Sequence, residues 1–235
     1  MFVIMKLQKI IIISFTILFL CQFFAAAFAG DWKFQKKQSG VEVYLRSVPG
    51  SKYKEFKGIM YVNKAHLSSM VAAFDDTSSY IRWMHNCTEA RLLKRFNMRE
   101  RYTYTVTHAP WPATDRDVIV YSLLSQNPGN LTVTIAITGR PDYIAPVKNR
   151  VRIPHMQALW TFKPLRSDLV MIVYQTITDA GGWLPLRLMN LSMVDLPFYT
   201  MVKFRNIIRE KRYANATFPV IKEPAYLRQG SALMK

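Results

Sequence analysis

The sequence predicts an α+β domain: a curved antiparallel sheet of eight or nine strands wrapped around one long C-terminal helix, with two short helices after the first strands. Three observations carry this. Strand patterns succeed one another from Val41 to Thr178 with a single helical interruption, a Gly181-Gly182 pair then reverses the chain, and Pro185 opens an amphipathic stretch that reaches about Arg212.

The elements follow in order. Val41 to Arg46 alternates as a strand, Pro49-Gly50 turns the chain, and Tyr53 to Val62 gives a longer partner, so a hairpin opens the domain. Asn63 is a suitable cap for a helix running from Lys64 through Leu67, Met70, Val71 and Phe74 to Asp75-Asp76, and a second short helix is expected from Ser78 to Met84. Strands are then expected at about 89–96, 99–108, 116–125, 131–138, 155–163 and 169–178. Asn127-Pro128-Gly129-Asn130 reads as a hairpin turn, because glycine and asparagine accept left-handed backbone angles. Tyr102, Tyr104 and Val106 oppose Thr103, Thr105 and Thr107; Leu131, Val133, Ile135 and Ile137 oppose Thr132, Thr134 and Thr138. Each strand thus has one dry face and one wet face.

Val170, Ile172 and Tyr174 alternate with Met171, Val173 and Gln175, a pattern for a strand covered on both faces that ends near Asp179. Two glycines tolerate the positive φ of a sharp reversal, and Pro185 fits a first helical turn, where its missing N–H has no partner anyway. In the final helix Leu186, Met189, Met193, Leu196, Met201, Phe204 and Ile208 trace one apolar stripe. Pro197 interrupts the hydrogen-bond ladder, which predicts a kink near Met193. The methionines of the stripe suit either of two tasks, filling irregular gaps or contacting an adaptable apolar ligand.

Composition bounds the setting. Residues 1–29 hold Lys6 and Lys9, an apolar run from Ile10 to Leu20, no acidic residue, and Ala27-Phe28-Ala29 at the end. This predicts a secretory signal peptide cleaved after Ala29, with a retained membrane anchor as the competing reading. Cys21 follows the bulky Leu20, which argues against lipidation. Removing 29 of 235 residues leaves 206, enough for one domain with a full core, and the net charge falls from +17 to +15 because only Lys6 and Lys9 are lost. We read a domain over 31–213 and a loosely ordered tail over 214–235. Cys87 is then the only cysteine; it cannot form an internal disulfide and is read as a small buried side chain, the alternative being a reactive thiol.

The positive charge asks for an anionic partner. Scattered cations without an RNA-binding motif, zinc-finger spacing or basic-region helix exclude a nucleic-acid reading. Transient contact with an anionic membrane surface fits dispersed Lys and Arg. A basic surface with no target is the bland alternative.

Several motifs together resemble the steroidogenic-acute-regulatory-related lipid-transfer (START) family of the SRPBCC superfamily, here as an exported bacterial member. They are Trp111-Pro112 followed by Asp115-Arg116-Asp117-Val118, then Trp160-Thr161-Phe162, then Asp179 with Gly181-Gly182-Trp183-Leu184-Pro185. The resemblance covers almost the whole of the chain after residue 29. It implies a helix-grip fold enclosing a tunnel for one lipid or other hydrophobic molecule, and binding rather than chemistry. It also implies that the tunnel wall draws on dry strand faces, the short helices and the inner stripe of the last helix. The ligand-binding candidates are Trp83, Tyr102, Tyr104, Tyr121, Trp160, Tyr174, Met189 and Met193, each with ordinary core packing as its alternative. Arg116 is read as ion-paired with its acidic neighbours, outside the site. Loops 109–114 and 139–154 are the expected tunnel mouth.

No catalytic residue, metal or cofactor is predicted. His66, His85, His108 and His155 fall on separate elements without metal-ligand spacing, and no nucleophile elbow, phosphate loop or dinucleotide fingerprint occurs. The expected function is to carry a lipid between membranes or to a partner, as a monomer in the periplasm. The alternatives are a polyketide cyclase/aromatase-like enzyme using the same tunnel and a lipid sensor that does not transfer its ligand.

Overall fold

The computed structural model describes residues 30–165 and 169–225. The expected signal peptide, its cleavage point after Ala29 and the last ten residues of the expected tail lie outside them. Ten strands form a single sheet: β1 (Lys33–Gln38), β2 (Val41–Ser47), β3 (Lys54–Asn63), β4 (Cys87–Arg95), β5 (Glu100–Thr107), β6 (Arg116–Gln126), β7 (Val133–Gly139), β8 (Val151–Arg152), β9 (His155–Pro164) and β10 (Leu169–Asp179). The helices are α1 (Leu67–Asp75), a 3₁₀ turn (Thr77–Ser79) leading into α2 (Tyr80–Trp83), the long α3 (Leu186–Ile207) and a final turn, α4 (Lys211–Ala214). Strand order across the sheet is β1, β2, β3, β10, β9, β7, β6, β5, β4, with β8 beside β6.

The pairing is antiparallel except at β8, whose two residues run parallel to Arg116 and Asp117. A two-residue strand has too little sequence to show a period. The other unforeseen strand, β1, is Lys-Phe-Gln-Lys-Lys-Gln and exposed along nearly its whole length. Its register with β2 is set by a two-residue turn in which both Ser39 (φ 49°) and Gly40 (φ 70°) take left-handed angles. Its lysines make a charged outer edge of the kind that discourages further strand pairing.

Three local expectations are corrected. Asn63 ends β3 and does not cap α1; His66 precedes α1 without a side-chain cap, and the first amides are taken by the tail. Glu223 accepts hydrogen bonds from Leu67 N–H at 3.0 Å and Ser68 N–H at 2.6 Å, placing a carboxylate at the positive end of the helix dipole. The chain after α4 is accordingly packed down as far as Pro224, with Phe218 and Ile221 buried in the core, so the expected loose tail does not begin at residue 214. In the turn after β6 the left-handed residue is Leu131 (φ 58°), while the Asn127 side chain accepts the amides of Gly129 and Asn130.

The core lies between the concave face of the sheet and the helices. Phe74 of α1, Trp83 of α2, Trp160 of β9 and Phe204 of α3 form one aromatic cluster with ring centroids 4.9–6.2 Å apart. The C-terminal half of α3 is held close to β3: a Cβ on Gly58 would sit 2.2 Å from the Met201 sulfur. The Met193–Met201–Phe204 stripe faces the sheet, as its period predicts, and meets it at β2, β3 and β10. The helix runs without interruption through Pro197, whose ring leaves the Met193 carbonyl without the amide that would ordinarily bond it.

Replacing Gly58 by valine forces Met201 away from the sheet, and we expect a loss of about 1–3 kcal/mol in denaturant-derived stability; an unchanged midpoint would show that the close approach is not needed. Glu223→Ala removes both bonds to α1 and is expected to cost about 1–2 kcal/mol, measured in the same way.

Candidate functional site

Toward its N-terminal half α3 stands off the sheet. Residues 187–196 are exposed or half-buried, whereas Pro197, Phe198, Thr200, Met201 and Phe204 are buried. Under the first half lies a cavity of about 220 Å³. Leu184, Leu188, Ser192, Asp195 and Leu196 roof it, and Thr105 and Thr107 of β5, Arg116 and Val118 of β6 and Thr176 of β10 form its sheet side. Met84, His85 and Asn86, after α2, and His108, Ala109 and Pro110, after β5, complete the wall. The lining is apolar in the main, with polar groups at a few fixed points, as ligand sites usually are.

The eight predicted positions divide sharply. Tyr174 lines the cavity. It stacks on Trp160 at 4.2 Å, and burial pushes its hydroxyl pKa up to about 12, so it stays protonated at any physiological pH. Trp83 and Trp160 belong to the aromatic cluster, which fills the neighbouring space between sheet and helix. Tyr102, Tyr104 and Tyr121 lie on the opposite, convex face. There Tyr102 stacks on Tyr143 at 4.0 Å, Tyr121 donates to Glu100 at 2.7 Å, and Tyr104 is buried with Val106, Ile119 and the side chains of Ile144 and Val147. Met193 accepts the Lys54 amide at 3.3 Å, and Met189 is half-buried without lining the cavity.

Two physical causes explain the difference. The period-two alternation of β5 separates its faces without saying which is concave, and the segment between β7 and β8 folds over the convex face, burying Tyr104 and stacking Tyr143 on Tyr102. The threonines are left to face inward. Strand β7, with Val133, Ile135 and Ile137 buried in the main core, follows the ordinary assignment. In α3 the stripe that packs on the sheet and the flank that roofs the cavity meet at Leu196, and Met193 and Met201 belong to the first.

The expected mouth also splits. Ala109 and Pro110 reach the cavity, but of residues 140–154 only Ile153 does. The rest of that loop is tied to the convex face: Arg152 forms a two-pronged pair with Asp117, both bonds 3.0 Å, and donates to the Ile144 carbonyl. Arg116 is therefore not ion-paired with its neighbours. Asp117 belongs to Arg152, and Asp115 accepts Ala109 N–H while lying 3.0 Å from His108 Nδ1. Arg116 instead donates to the carbonyls of Thr114 and Trp183, spanning the loops before β6 and after β10. Its place on the cavity was missed because an Asp-Arg-Asp run looks self-neutralising, and only the strand's alternation separates the three charges onto two faces.

Those two loops each present a tryptophan to solvent: Trp111 is 91% exposed and Trp183 71%. Gly181 (φ 66°) and Gly182 (φ 56°) carry the reversal into α3, and a Cβ at Gly181 would lie 2.9 Å from the Arg152 carbonyl oxygen. Cys87, next to the site in sequence, is buried, with its thiol pKa raised to about 11 by that burial, and behaves as a core side chain.

No family model matches the chain. It is 35% identical over 186 residues to an uncharacterized protein of Pseudomonas aeruginosa, a match covering 79% of this chain and 90% of that one. Among solved structures it is similar to the STAR-related lipid transfer protein of Xanthomonas axonopodis (fragment 25–204), with a TM-score of 0.70 and 32% identity over 76% of this chain and 99% of that one. Human STARD10 has the same fold, with a TM-score of 0.66 and 20% identity over 77% and 74% of the two chains. Shared sequence across nearly the full length of the Xanthomonas fragment, with a sheet that wraps one long C-terminal helix, makes this chain a member of the STAR-related lipid-transfer (START) family.

Proposed function

We propose that this protein binds one lipid or other hydrophobic molecule between its sheet and α3, and carries it between membranes or to a partner. The observation that carries the reading is the roof: residues 187–196 of α3 bury no side chain fully, directly above an apolar cavity, while Pro197, Phe198, Thr200, Met201 and Phe204 beyond them are buried. At about 220 Å³ the space is smaller than the roughly 300–1,000 Å³ of ordinary ligand sites. A lipid would enter by lifting this loosely held half while the aromatic cluster keeps the other half in place.

The two exposed tryptophans flank that entrance on loops joined by Arg116. Indole is suited to the membrane interface, apolar across its rings and polar at one edge. With a net charge of +15 after loss of the leader expected over residues 1–29, the surface favours anionic bilayers, and the setting we propose is the periplasm, with the protein a monomer. We take the protein as a carrier, not an enzyme. His108, on the cavity wall, is paired with Asp115 behind it, whose same carboxylate oxygen holds the Ala109 amide, so the pair serves to fix the loop.

Native mass spectrometry of protein from its own host is expected to show a bound lipid, and transfer assays a faster exchange between donor and acceptor vesicles of phosphatidylethanolamine and phosphatidylglycerol. Protein that arrives empty and does not change exchange would defeat the reading; bound lipid without exchange would make it a sensor. Leu188→Arg places a charge in the roof. We expect at least about tenfold less bound lipid, with unfolding free energy altered by less than about 1 kcal/mol. The double change Trp111→Ala, Trp183→Ala is expected to weaken vesicle association roughly tenfold and to move the thermal midpoint by no more than about 2 °C.

A further inference from the structure

Arg116 is 5% exposed and stands on the wall of an apolar cavity. A guanidinium has five N–H donors and no acceptor. Two of these serve the Thr114 and Trp183 carbonyls, and Nε, also buried, has no partner. Among the described residues no carboxylate lies within ion-pair distance of it. Asp115 and Asp117 are committed elsewhere, and Asp195, the acidic side chain of the cavity lining, lies on the helix roof 3.8 Å from Lys36.

Buried arginines are ordinarily neutralised, as buried Arg101 is by Asp75 and half-buried Arg152 by Asp117. The position of Arg116 is fixed by its strand. Its cross-strand partner is Thr107, so the two side chains leave the sheet on the same face, and both line the cavity. A second unpartnered buried atom, His85 Nδ1, belongs to the same wall. Burial weakens the hold of Arg116 on its charge, the direction expected of a cation whose counter-ion is missing.

We infer that Arg116 is the anchor for an anionic oxygen head group, a carboxylate or phosphate, at the end of an apolar chain lying in the cavity. This rests on the ligand-binding reading above and narrows it to charged amphiphiles. Guanidinium and carboxylate or phosphate match in geometry, and pairing inside an apolar wall is stronger than in water because little solvent competes. An anion there would also draw on the same guanidinium that ties the two mouth loops, so the head group and the tryptophan loops share one contact.

Three probes with the same chain test this by isothermal calorimetry on the protein as purified and stripped of lipid: decanoate, decyl phosphate and methyl decanoate. The wild-type protein is expected to bind at least one of the anions at least about tenfold more tightly than the ester, the source of the anion being read from which of the two is preferred. Arg116→Met is expected to remove that preference, bringing the ratio of anion to ester affinity to about one whatever the absolute affinities, and Arg116→Lys to restore part of it. Equal binding of ester and anions by the wild type, or a preference unchanged in Arg116→Met, overturns the assignment. The wild-type comparison decides the matter even where the variants fail to fold. Failure of all three probes to bind also overturns it, whereas a neutral lipid found by native mass spectrometry would leave the carrier reading standing without it.

Discussion

The structure depends on how close the second half of α3 comes to the sheet. Gly58 gives up its side chain so that Met201 can rest against the backbone of β3, and Phe204 enters the cluster of Phe74, Trp83 and Trp160. Packing of this density has few low-energy alternatives, so the helix is fixed in rotation and height chiefly at one end. The other end touches the sheet edge at Met193 and Asp195 and projects over the ends of β5, β6 and β10 with a cavity beneath it. The helix thus has a densely packed half and a sparsely packed half, and the candidate site lies under the second.

Much of this was legible in the sequence because the information is local. Alternation along β2, β3, β7 and β10, the double glycine before α3 and the 201–204–208 stripe each state a conformation within a few residues. The faces of β5 were not, since Tyr104 is as well buried beneath the loop after β7 as it would be on the concave face, and Tyr102 is half-covered there. Placing them correctly requires knowing that Arg152 draws that loop down through Asp117, a contact across 35 residues. Strands β1 and β8 escaped for the opposite reason: they contain almost no buried side chain and exist through their partners' registers.

The candidate site was less legible than the fold. Aromatic residues attract attention as ligand contacts, yet here most of them form the plug and the convex layer, while the cavity is lined by leucine, threonine and one arginine. A threonine contributes a methyl group to an apolar wall as readily as it meets water, so a wet-looking strand face is an ambiguous sign. Arg116 shows the same ambiguity in charge: its acidic neighbours are adjacent in the chain, but in space Asp117 is on the other face with Arg152 and Asp115 is turned toward His108 and Ala109.

The bond from Glu223 to α1 bears on the order in which this protein acquires its shape. A growing chain makes α1 near its beginning and the residue that finishes it about 156 positions later. Strand β3 likewise waits for β10, the last strand made, to fill the place beside it. Early segments thus emerge with half their partners missing, and the nascent molecule closes late, as a whole, in the manner of folds dominated by distant pairings.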